Sequence, residues 1–323
     1  MTHLAGIDIG GTKCAVCIGR AEAGHIEILD KRRFATPDGP EAALVALTDG
    51  LEALLEAHPE VARSAVGVSC GGPLDSTRGL ILSPPNLPGW DRVDMVTPFR
   101  ERFGVPTSLQ NDANACAVAE WQWAAGRGVR SMVFLTFGTG MGAGLVLDGR
   151  LYAGASDMAG EVGHIRLAED GPLGYGKRGS FEGFCSGGGI ARLAQSRALE
   201  AIQAGTPPAF CPTLADLDKV TAASVGEAAQ AGDPLARAIY ETVGRYLGRG
   251  LAVLVDVLNP ECIVVGSIYG RQQSLLEPMA LEVLRAEAHP HALAACKIVP
   301  AGLGERVGDY AGLAVALMAA GDQ

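Results

Sequence analysis

The 323-residue sequence lacks any run of lysine or arginine, because its 26 basic and 36 acidic residues are mixed along the chain, with a formal net charge of −10. A protein that follows a nucleic-acid backbone needs a basic patch or stripe, so binding to nucleic acid or to an anionic membrane surface is disfavoured. Uninterrupted apolar stretches are lacking too. GLAVLVDVLNPECIVVG is broken by Asp256 and Pro260 before it reaches the ~20 residues that cross a bilayer. The segment MTHLAGIDIGG lacks the pattern of a secretion signal, so we expect a cytoplasmic protein.

Regular cysteine spacing is also absent. The eight cysteines are scattered along the chain, which indicates reduced thiols rather than a disulfide framework. Cys14 and Cys17 form a C-x-x-C pattern, which is typical of redox and metal sites. If residues 14–19 form a strand, side chains three positions apart point to opposite faces, so these two sulfurs cannot easily meet.

Hydrophobic residues make up 48% of the chain, which is ample for sizeable cores in about two domains. Apolar segments predict strands at 3–9, 14–19, 26–33, 65–70, 106–110, 131–137, 143–148, 262–266 and 297–300. Helical periodicity predicts helices at 40–57, 113–125, 188–203, 233–258, 273–287 and 309–320. Because strands and helices mix in both halves, the predicted fold class is α/β. The segments FCPTL and GDPLAR are interpreted as loops.

Two segments share one plan: an apolar strand, a turn rich in glycine and hydroxyl residues, and a second apolar strand. They are GIDIGGTKCAVCIG, residues 6–19, and VFLTFGTGMGAGLVLDG, residues 133–149. Glycine reaches the positive φ angles that tight hairpin turns require, so plain turns are one interpretation. The other is that the turns expose backbone N–H groups that hold phosphate. The repeat favours phosphate binding, with one turn on each side of a cleft and a hinge near 110–117.

Two known phosphate-binding motifs nearly match these turns and are rejected. GIDIGGTK resembles Walker A, but Thr12 and Lys13 stand in reverse order and a strand follows where that motif needs a helix. GTGMGA, from Gly138 to Ala143, fits the dinucleotide-binding pattern, yet it too runs into a strand. A pyrophosphate there would therefore meet no helix dipole.

The two turns supply the candidate nucleotide ligands. We expect backbone donors, the Thr12 hydroxyl and the Lys13 charge to hold phosphate, and Asp8 to hold water on a magnesium ion. The expected nucleotide-binding residues are Asp8, Gly10, Gly11, Thr12, Lys13, Thr136, Gly138, Thr139 and Gly140.

The segment NDANACAVAEW begins at the end of a strand and enters a helix. Asn111 or Asp112 caps that helix in one interpretation, since either residue does so well. In the other, Asp112 accepts the proton from a hydroxyl that attacks a γ-phosphate. Glu161 and His164 lie three residues apart, so one turn can direct both into a pocket that reads sugar hydroxyls. Asn86 and Glu182 are weaker candidates for the same pocket.

The chain resembles the ROK family (repressors, open reading frames and kinases) of the actin/hexokinase ATPase superfamily. The matching segments, in family order, are DIGGTK (8–13), GGPLD (71–75), NDANACAVAE (111–120), FGTGMGAGLVLDGRLYAG (137–154), GEVGH (160–164) and NPECIVVG (259–266). The resemblance implies Asp112 as catalytic base and Gly266 near the nucleotide. It implies Asn111, Glu161, His164 and Glu182 as sugar ligands. Asn86, and Gly72 in the matching segment GGPLD, are further candidates for the sugar site.

The resemblance also implies two α/β lobes that close on ATP and sugar: residues 1–117 joined by the C-terminal helix 309–323, and residues 118–308. Many members carry C-x-C-G-x-x-G-C-x-E after the histidine, and those cysteines bind a structural zinc with it. Here the cysteine positions hold Leu173, Tyr175 and Ser180. Because zinc needs about four N or S ligands, we expect no structural zinc and a loop held by packing of Leu173, Tyr175 and Phe181.

The expected activity is ATP- and Mg²⁺-dependent phosphorylation of a hexose or N-acetylhexosamine by a homo-oligomer, a dimer or a tetramer. A sugar-sensing regulator is the main alternative. The family's repressors carry an N-terminal helix-turn-helix, however, and here the first strand starts by residue 4. A nicotinamide-dependent dehydrogenase is the remaining alternative.

Overall fold

The computed structural model describes residues 2–59, 61 and 64–321. The expected domain segments 1–117 and 309–323 therefore include positions, residue 1 and residues 322–323 among them, that lie outside the described residues. The chain forms two compact units. The first comprises residues 1–134, 144–159 and 302–323, and the second comprises 135–143 and 160–301. The lobe boundary expected at residue 117 stays a prediction.

The first unit contains most of the N-terminal elements and the last helix. They are β1 Thr2–Ile9, β2 Lys13–Glu22, β3 His25–Ala35, α1 Pro40–Ala57, β4 Val66–Cys70, β5 Leu74–Asp75, β6 Leu80–Leu82, β7 Asp91–Asp94, α2 Thr97–Phe103, β8 Thr107–Asn111, α3 Asp112–Trp123, β11 Arg150–Leu151 and α11 Val307–Gly321. Strands β9 Met132–Phe137 and β10 Met141–Leu147 contribute residues to both units.

A sheet in the order β3-β2-β1-β4-β8 forms the centre of the first unit. Strand β1 pairs antiparallel with β2 and parallel with β4, and β4 pairs parallel with β8. One face of the sheet packs on α1, where Leu47, Leu51 and Leu54 are fully buried. The other face packs on α11, and a Cβ at Gly6 would lie 2.8 Å from the Leu313 nitrogen. Glycine at that position therefore lets helix and strand approach closely.

The remaining elements belong to the second unit. They are β12 Leu173–Gly174, β13 Lys177–Arg178, α4 Phe181–Phe184, α5 Gly187–Gln203, α6 Ala222–Gln230, α7 Pro234–Leu258, β14 Cys262–Val265, α8 Ile268–Arg271, α9 Gln273–Glu287, α10 Pro290–Ala295 and β15 Lys297–Pro300. The long helix α7 packs against α9. Asp233 caps α7 by accepting a bond from the Ala236 nitrogen at 2.9 Å.

The predicted repeat extends beyond the hairpins. The second sheet has the order β11-β10-β9-β14-β15. Like the first sheet, it places an antiparallel pair at one edge (β10 with β11) and a parallel pair at the other (β14 with β15). Each sheet thus pairs a strand–turn–strand segment with two further strands that follow much later in the chain.

The predicted strands and long helices are all present, with ends that differ by a few residues. The loop predicted at GDPLAR is wrong for its second half, because Pro234 begins α7. Helix α6 and the short strands β5–β7 had no strong periodicity to reveal them.

Cys14 and Cys17 lie in the cores on opposite faces of the first sheet, as predicted, and all eight cysteines are free thiols. None of the helices in the described part of the chain is both long and apolar enough to cross a membrane.

Candidate active site

The first glycine turn connects β1 to β2. The Gly10 nitrogen donates to the Lys13 oxygen at 3.0 Å, while Gly11, Thr12 and Lys13 are exposed. Neither glycine has a positive φ, so the expectation that this turn needs left-handed backbone is wrong. Space is the reason for glycine here, because a Cβ at Gly11 would lie 2.5 Å from the Asn86 backbone oxygen.

Thr36 engages the carbonyl groups of this turn. Its hydroxyl donates to the Gly10 oxygen at 2.6 Å, and its nitrogen donates to the Thr12 oxygen at 3.1 Å. The N–H groups of Gly11 and Thr12 make no hydrogen bond among the residues described. The first turn therefore has occupied acceptors and available donors, the arrangement that an anion requires.

The carboxyl groups of Asp8 and Asp112 both have raised pKa values, and the charge of Asp112 acts on Asp8. Burial, together with the negative charges of Asp112 and Asp309, raises the pKa of the Asp8 carboxyl from 3.8 to about 7, against the opposing Arg33. Loss of hydration also raises the pKa of Asp112, although this residue is open to solvent and accepts a backbone bond from Ala113. A buried carboxyl close to further negative charge, as Asp8 is, favours either a proton or a bound cation.

The junction of β8 and α3 places Asn111 and Asp112 side by side. The Asn111 side-chain oxygen caps α3 by accepting from the Ala113 nitrogen at 2.9 Å, so the capping interpretation is confirmed for Asn111. Asp112 is the first residue of the helix and accepts from the same nitrogen at 2.8 Å. The Asn111 amide nitrogen remains available as a donor, and it lies 3.0 Å from where a Cβ on Gly72 would stand.

Helix α3 is fixed along its length. Its residues from Ala113 to Glu120 are buried. At the far end, the buried Glu120 carboxylate accepts from the backbone nitrogens of Ala125, Gly302 and Leu303 at 2.9–3.1 Å. A helix anchored in this way holds its first residue, Asp112, in one place.

The second glycine turn connects β9 to β10. The Gly138 nitrogen donates to the Gly140 oxygen at 3.1 Å. Thr136 bridges the hairpin below the turn, since its hydroxyl accepts from the Gly142 nitrogen at 2.9 Å and lies 3.3 Å from the Gly142 oxygen. The Glu182 carboxylate accepts from the Met141 nitrogen at 3.1 Å. Two expected ligands, Thr136 and Glu182, thus brace this turn.

A cavity of about 610 Å³ opens beside the second turn. Gly138 and Thr139 line it together with Ser267, which directly follows Gly266. Helix α5 begins at the same place, where the Gly187 nitrogen donates to the Gly138 oxygen at 2.8 Å. The inference that this turn meets no helix N-terminus is therefore wrong, because α5 supplies one from a distant segment.

Most of the cavity lining was not identified from the sequence. The missed residues are Gly187, Gly188, Ala191, Val220, Thr221, Ala222, Ala223, Ser267, Ile268 and Arg271. One signal was available, since Ser186 followed by three glycines opens a helical segment and its hydroxyl caps α5 through the Gly189 nitrogen at 2.9 Å. Such a start resembles an anion-binding helix N-terminus.

Glu161 and His164 lie together on one 3-10 turn, Val162–His164, as their spacing predicts. The His164 Nε2 atom is 3.8 Å from the Glu161 carboxylate, and both side chains are open to solvent. The Tyr175 ring packs edge-on against the His164 imidazole at 5.1 Å between centroids.

The loop after His164 is not held as expected. Leu173 and Tyr175 are 43% and 66% exposed, so of the three residues expected to pack only Phe181 is buried. Backbone bonds hold the loop instead, including Phe181 nitrogen to Ile165 oxygen at 2.8 Å and Leu167 nitrogen to Gly179 oxygen at 2.8 Å. Leucine, tyrosine and serine side chains do not fit a structural zinc, and in the described ranges no three His, Cys, Asp or Glu side chains gather around a common point.

Comparison with known proteins identifies the class. Residues 4–318 match the profile of the ROK family. A glucokinase of Streptomyces coelicolor is 31% identical over 314 residues, or 94% of each chain. An N-acetylmannosamine kinase of Escherichia coli is 35% identical over 305 residues, which cover 90% of this chain and 94% of that kinase.

The chain is also similar in structure to a solved kinase of the same family. The crystal structure of a ROK family glucokinase from Streptomyces griseus, in complex with glucose and AMPPNP, has a TM-score of 0.77 and 29% identity, and the match covers 98% of this chain and 99% of that one. The fold is the α/β fold of actin/hexokinase-like proteins, as predicted. The chain belongs to the ROK family.

Proposed function

We propose that this protein is a sugar kinase that transfers the γ-phosphoryl group of ATP to the 6-hydroxyl of a hexose or N-acetylhexosamine. Kinases of both sugar classes are relatives over most of the chain, which supports this proposal. The observation that carries it is the position of Asp112, an acid with a raised pKa at the start of the buried helix α3, whose charge acts on Asp8 near the first glycine turn.

Asp112 is the general base in this proposal. A base works best when its pKa lies near the operating pH, and loss of hydration raises the pKa of Asp112 in that direction. Its carboxylate takes the proton of the sugar hydroxyl as that oxygen attacks the phosphorus atom. Two backbone hydrogen bonds oppose that rise in pKa and so favour the ionised carboxylate, which is the form that accepts a proton.

The glycine turns bind the phosphates in this proposal. The unbonded N–H groups of Gly11 and Thr12 donate to phosphate oxygens, and the exposed Lys13 adds positive charge. At the second turn, Thr139 and Gly140 do the same, and the N-terminus of α5 favours negative charge beside Gly138. The cavity next to Gly266 receives the nucleoside.

The residues present fit a magnesium ion. The negative charge of Asp112 raises the proton affinity of Asp8, and a divalent cation would relieve that repulsion. Asp8 is the residue that would hold the ion through water. When bound, magnesium neutralises the phosphate charge that develops during transfer.

The sugar hydroxyls are read by side chains with one free donor or acceptor each. Asn111 offers its amide nitrogen, because its oxygen is used in the cap. The solvent-open pair Glu161 and His164 offers an acceptor and a donor from one turn. Further expected ligands are Gly72, Asn86 and Glu182.

Four further predictions belong with this function. The protein carries no structural zinc, since the residues at the expected ligand positions do not fit one. We further propose that it acts as a dimer or tetramer in the cytoplasm. The two lobes are those of the sequence-based expectation, 1–117 with 309–323 and 118–308.

The proposal is tested by ADP release in a coupled assay across a panel of hexoses and N-acetylhexosamines. With the best sugar, Asp112→Asn should lower kcat by about 10²–10⁴ while sugar binding persists, because a positioned base contributes that much to the rate. Asp38→Asn, an exposed acid-to-amide change elsewhere in the same unit, is the matched control and should keep wild-type kcat. Equal kcat values for the two variants would contradict the role of Asp112 as the general base.

Two other outcomes would replace the proposal. Sugar binding without ADP release from any sugar would indicate a sugar-sensing regulator. A rise in melting temperature with NAD, and none with ATP and magnesium, would indicate a dehydrogenase.

A further inference from the structure

The loop in which family relatives are expected to carry zinc ligands forms a small hairpin here. Strands β12 and β13 pair in the register Leu173↔Arg178 and Gly174↔Lys177. Its two-residue turn has positive φ at both positions, 42° at Tyr175 and 76° at Gly176. Such a turn suits a tight hairpin, but a bulky side chain with positive φ is unusual and calls for an explanation.

Tyr175 and Lys177 both contact His164. The Tyr175 ring lies edge-on to the imidazole, with an interplanar angle of 80°. The Lys177 ammonium group donates to the His164 backbone oxygen at 2.7 Å. One contact fixes the side chain and the other fixes the backbone of the same residue, so the hairpin restrains His164 at two points.

The same hairpin supports the segment that carries Glu182. Ser180, at an expected zinc-ligand position, is buried and caps α4 by accepting from the Gly183 nitrogen at 3.0 Å. A Cβ on Gly174 would collide with the Gly183 backbone, so β12 lies directly against the start of α4. Hydrogen bonding and close packing therefore hold this segment in place, as a structural metal ion would in a relative that has one.

We propose that Tyr175 and Lys177 are positioning residues that hold His164 for sugar binding in place of a structural metal. The proposal rests on the sugar-kinase function above. Neither residue needs to touch the sugar, because each acts through His164. The positive φ of Tyr175 is tolerated because the turn places its ring against the imidazole.

Lys177→Met and Tyr175→Gly test the two restraints separately. Each should raise the sugar KM, and the sugar Kd measured by calorimetry without ATP, by about tenfold, because a His164 that is no longer held must be immobilised when the sugar binds. The kcat and the KM for ATP should change less than about threefold. Tyr175→Phe keeps the ring and should restore wild-type values.

Leu173→Ala is the matched control on the same hairpin, because Leu173 also occupies an expected ligand position and its side chain is largely exposed. It should leave the sugar KM unchanged. Tyr175→Gly also relieves the positive-φ strain, so its thermal stability should not fall, and a weaker sugar affinity cannot then be attributed to unfolding.

The outcomes separate this proposal from the function. If the wild type phosphorylates a sugar but Lys177→Met and Tyr175→Gly keep the wild-type sugar Kd, the positioning role is overturned and the kinase function stands. If no sugar is phosphorylated, the function itself fails. Elemental analysis should find less than about 0.1 zinc per chain, and one zinc per chain would overturn the metal-free restraint.

Discussion

The two glycine turns follow the same sequence plan but are stabilised differently. In the first, Thr36 binds the turn carbonyls, and the glycine at position 11 is required because the Asn86 backbone lies against it. In the second, Glu182 and Thr136 bind backbone nitrogens next to the turn, and helix α5 begins against Gly138. The first turn is thus shaped by backbone packing and the second by side chains and a helix end.

The charge of the two hairpins differs as well. Asp8 lies two residues before Gly10, and Thr136 lies two residues before Gly138. The first hairpin therefore brings an acid with a raised pKa to its turn, and the second brings a hydroxyl that stays within the hairpin. If the hairpins bind as proposed, this difference places the cation with the first turn and not with the second.

Removing the acid from the first hairpin should have the largest effect. Asp8→Asn should lower kcat by about 10²–10³, because a lost magnesium position costs several kcal/mol of transition-state stabilisation. Thr136→Val, at the matching position of the second hairpin, should leave the magnesium dependence of kcat unchanged. A magnesium titration of kcat for both variants checks this, and equal responses would contradict the asymmetry.

The Asp8→Asn substitution should also stabilise the protein at high pH. The folded pKa of Asp8 is about 7, above its ordinary value of 3.8, so between these pH values the folded state binds more protons than the unfolded state. Wild-type stability therefore falls as the pH rises through that window and levels off above it. Asp8→Asn lacks this dependence and should be more stable than wild type at pH 8 by about 1–3 kcal/mol. Denaturant unfolding at pH 5 and pH 8 measures the difference, and a less stable variant at pH 8 would contradict it.

Adding one methyl group to each turn sharpens the comparison. Gly11→Ala should lose about 1–3 kcal/mol of stability, because the new Cβ meets the Asn86 backbone and that backbone must move. Gly138→Ala should change stability by less than about 0.5 kcal/mol, because its Cβ meets only the Ser267 hydroxyl, at 3.8 Å. Urea unfolding of both variants decides the matter. A larger loss of stability for Gly138→Ala than for Gly11→Ala would contradict the conclusion that close backbone packing shapes the first turn and not the second.

Replacing the threonine that hydrogen-bonds each turn, Thr36 or Thr136, should show the smallest difference in stability between the two turns. Thr136→Val leaves the Gly142 nitrogen without its acceptor and should cost about 1–2 kcal/mol. Thr36→Val leaves the Gly10 carbonyl without a donor and removes a weak 3.6 Å contact with the Cys14 thiol, and should cost about 0.5–1 kcal/mol. The nucleotide KM should rise more for Thr136→Val, since Thr136 shapes the turn beside the cavity. Unfolding curves and ATP titrations measure both effects. Identical results for the two valine variants would show that Thr36 and Thr136 stabilise their turns equally and would contradict this prediction.

Local patterns determined much of this protein. Apolar alternation and helical spacing revealed the strands, the long helices and both glycine hairpins, because these features depend on neighbours a few residues apart. The same locality explains the errors. Leu173 and Tyr175 are apolar enough to suggest packing in a core. Both side chains are nevertheless exposed, and backbone hydrogen bonds hold the loop that contains them.

The tertiary structure alone decided what each turn contacts. Asn86 lies 75 residues after Gly11 and makes glycine necessary there, and Gly187 brings a helix N-terminus to Gly138 from 49 residues away. Such encounters depend on how the buried faces of whole sheets and helices fit together. No periodicity in one segment reports that fit, so the sequence identified the two turns and only the folded chain determined how each is supported.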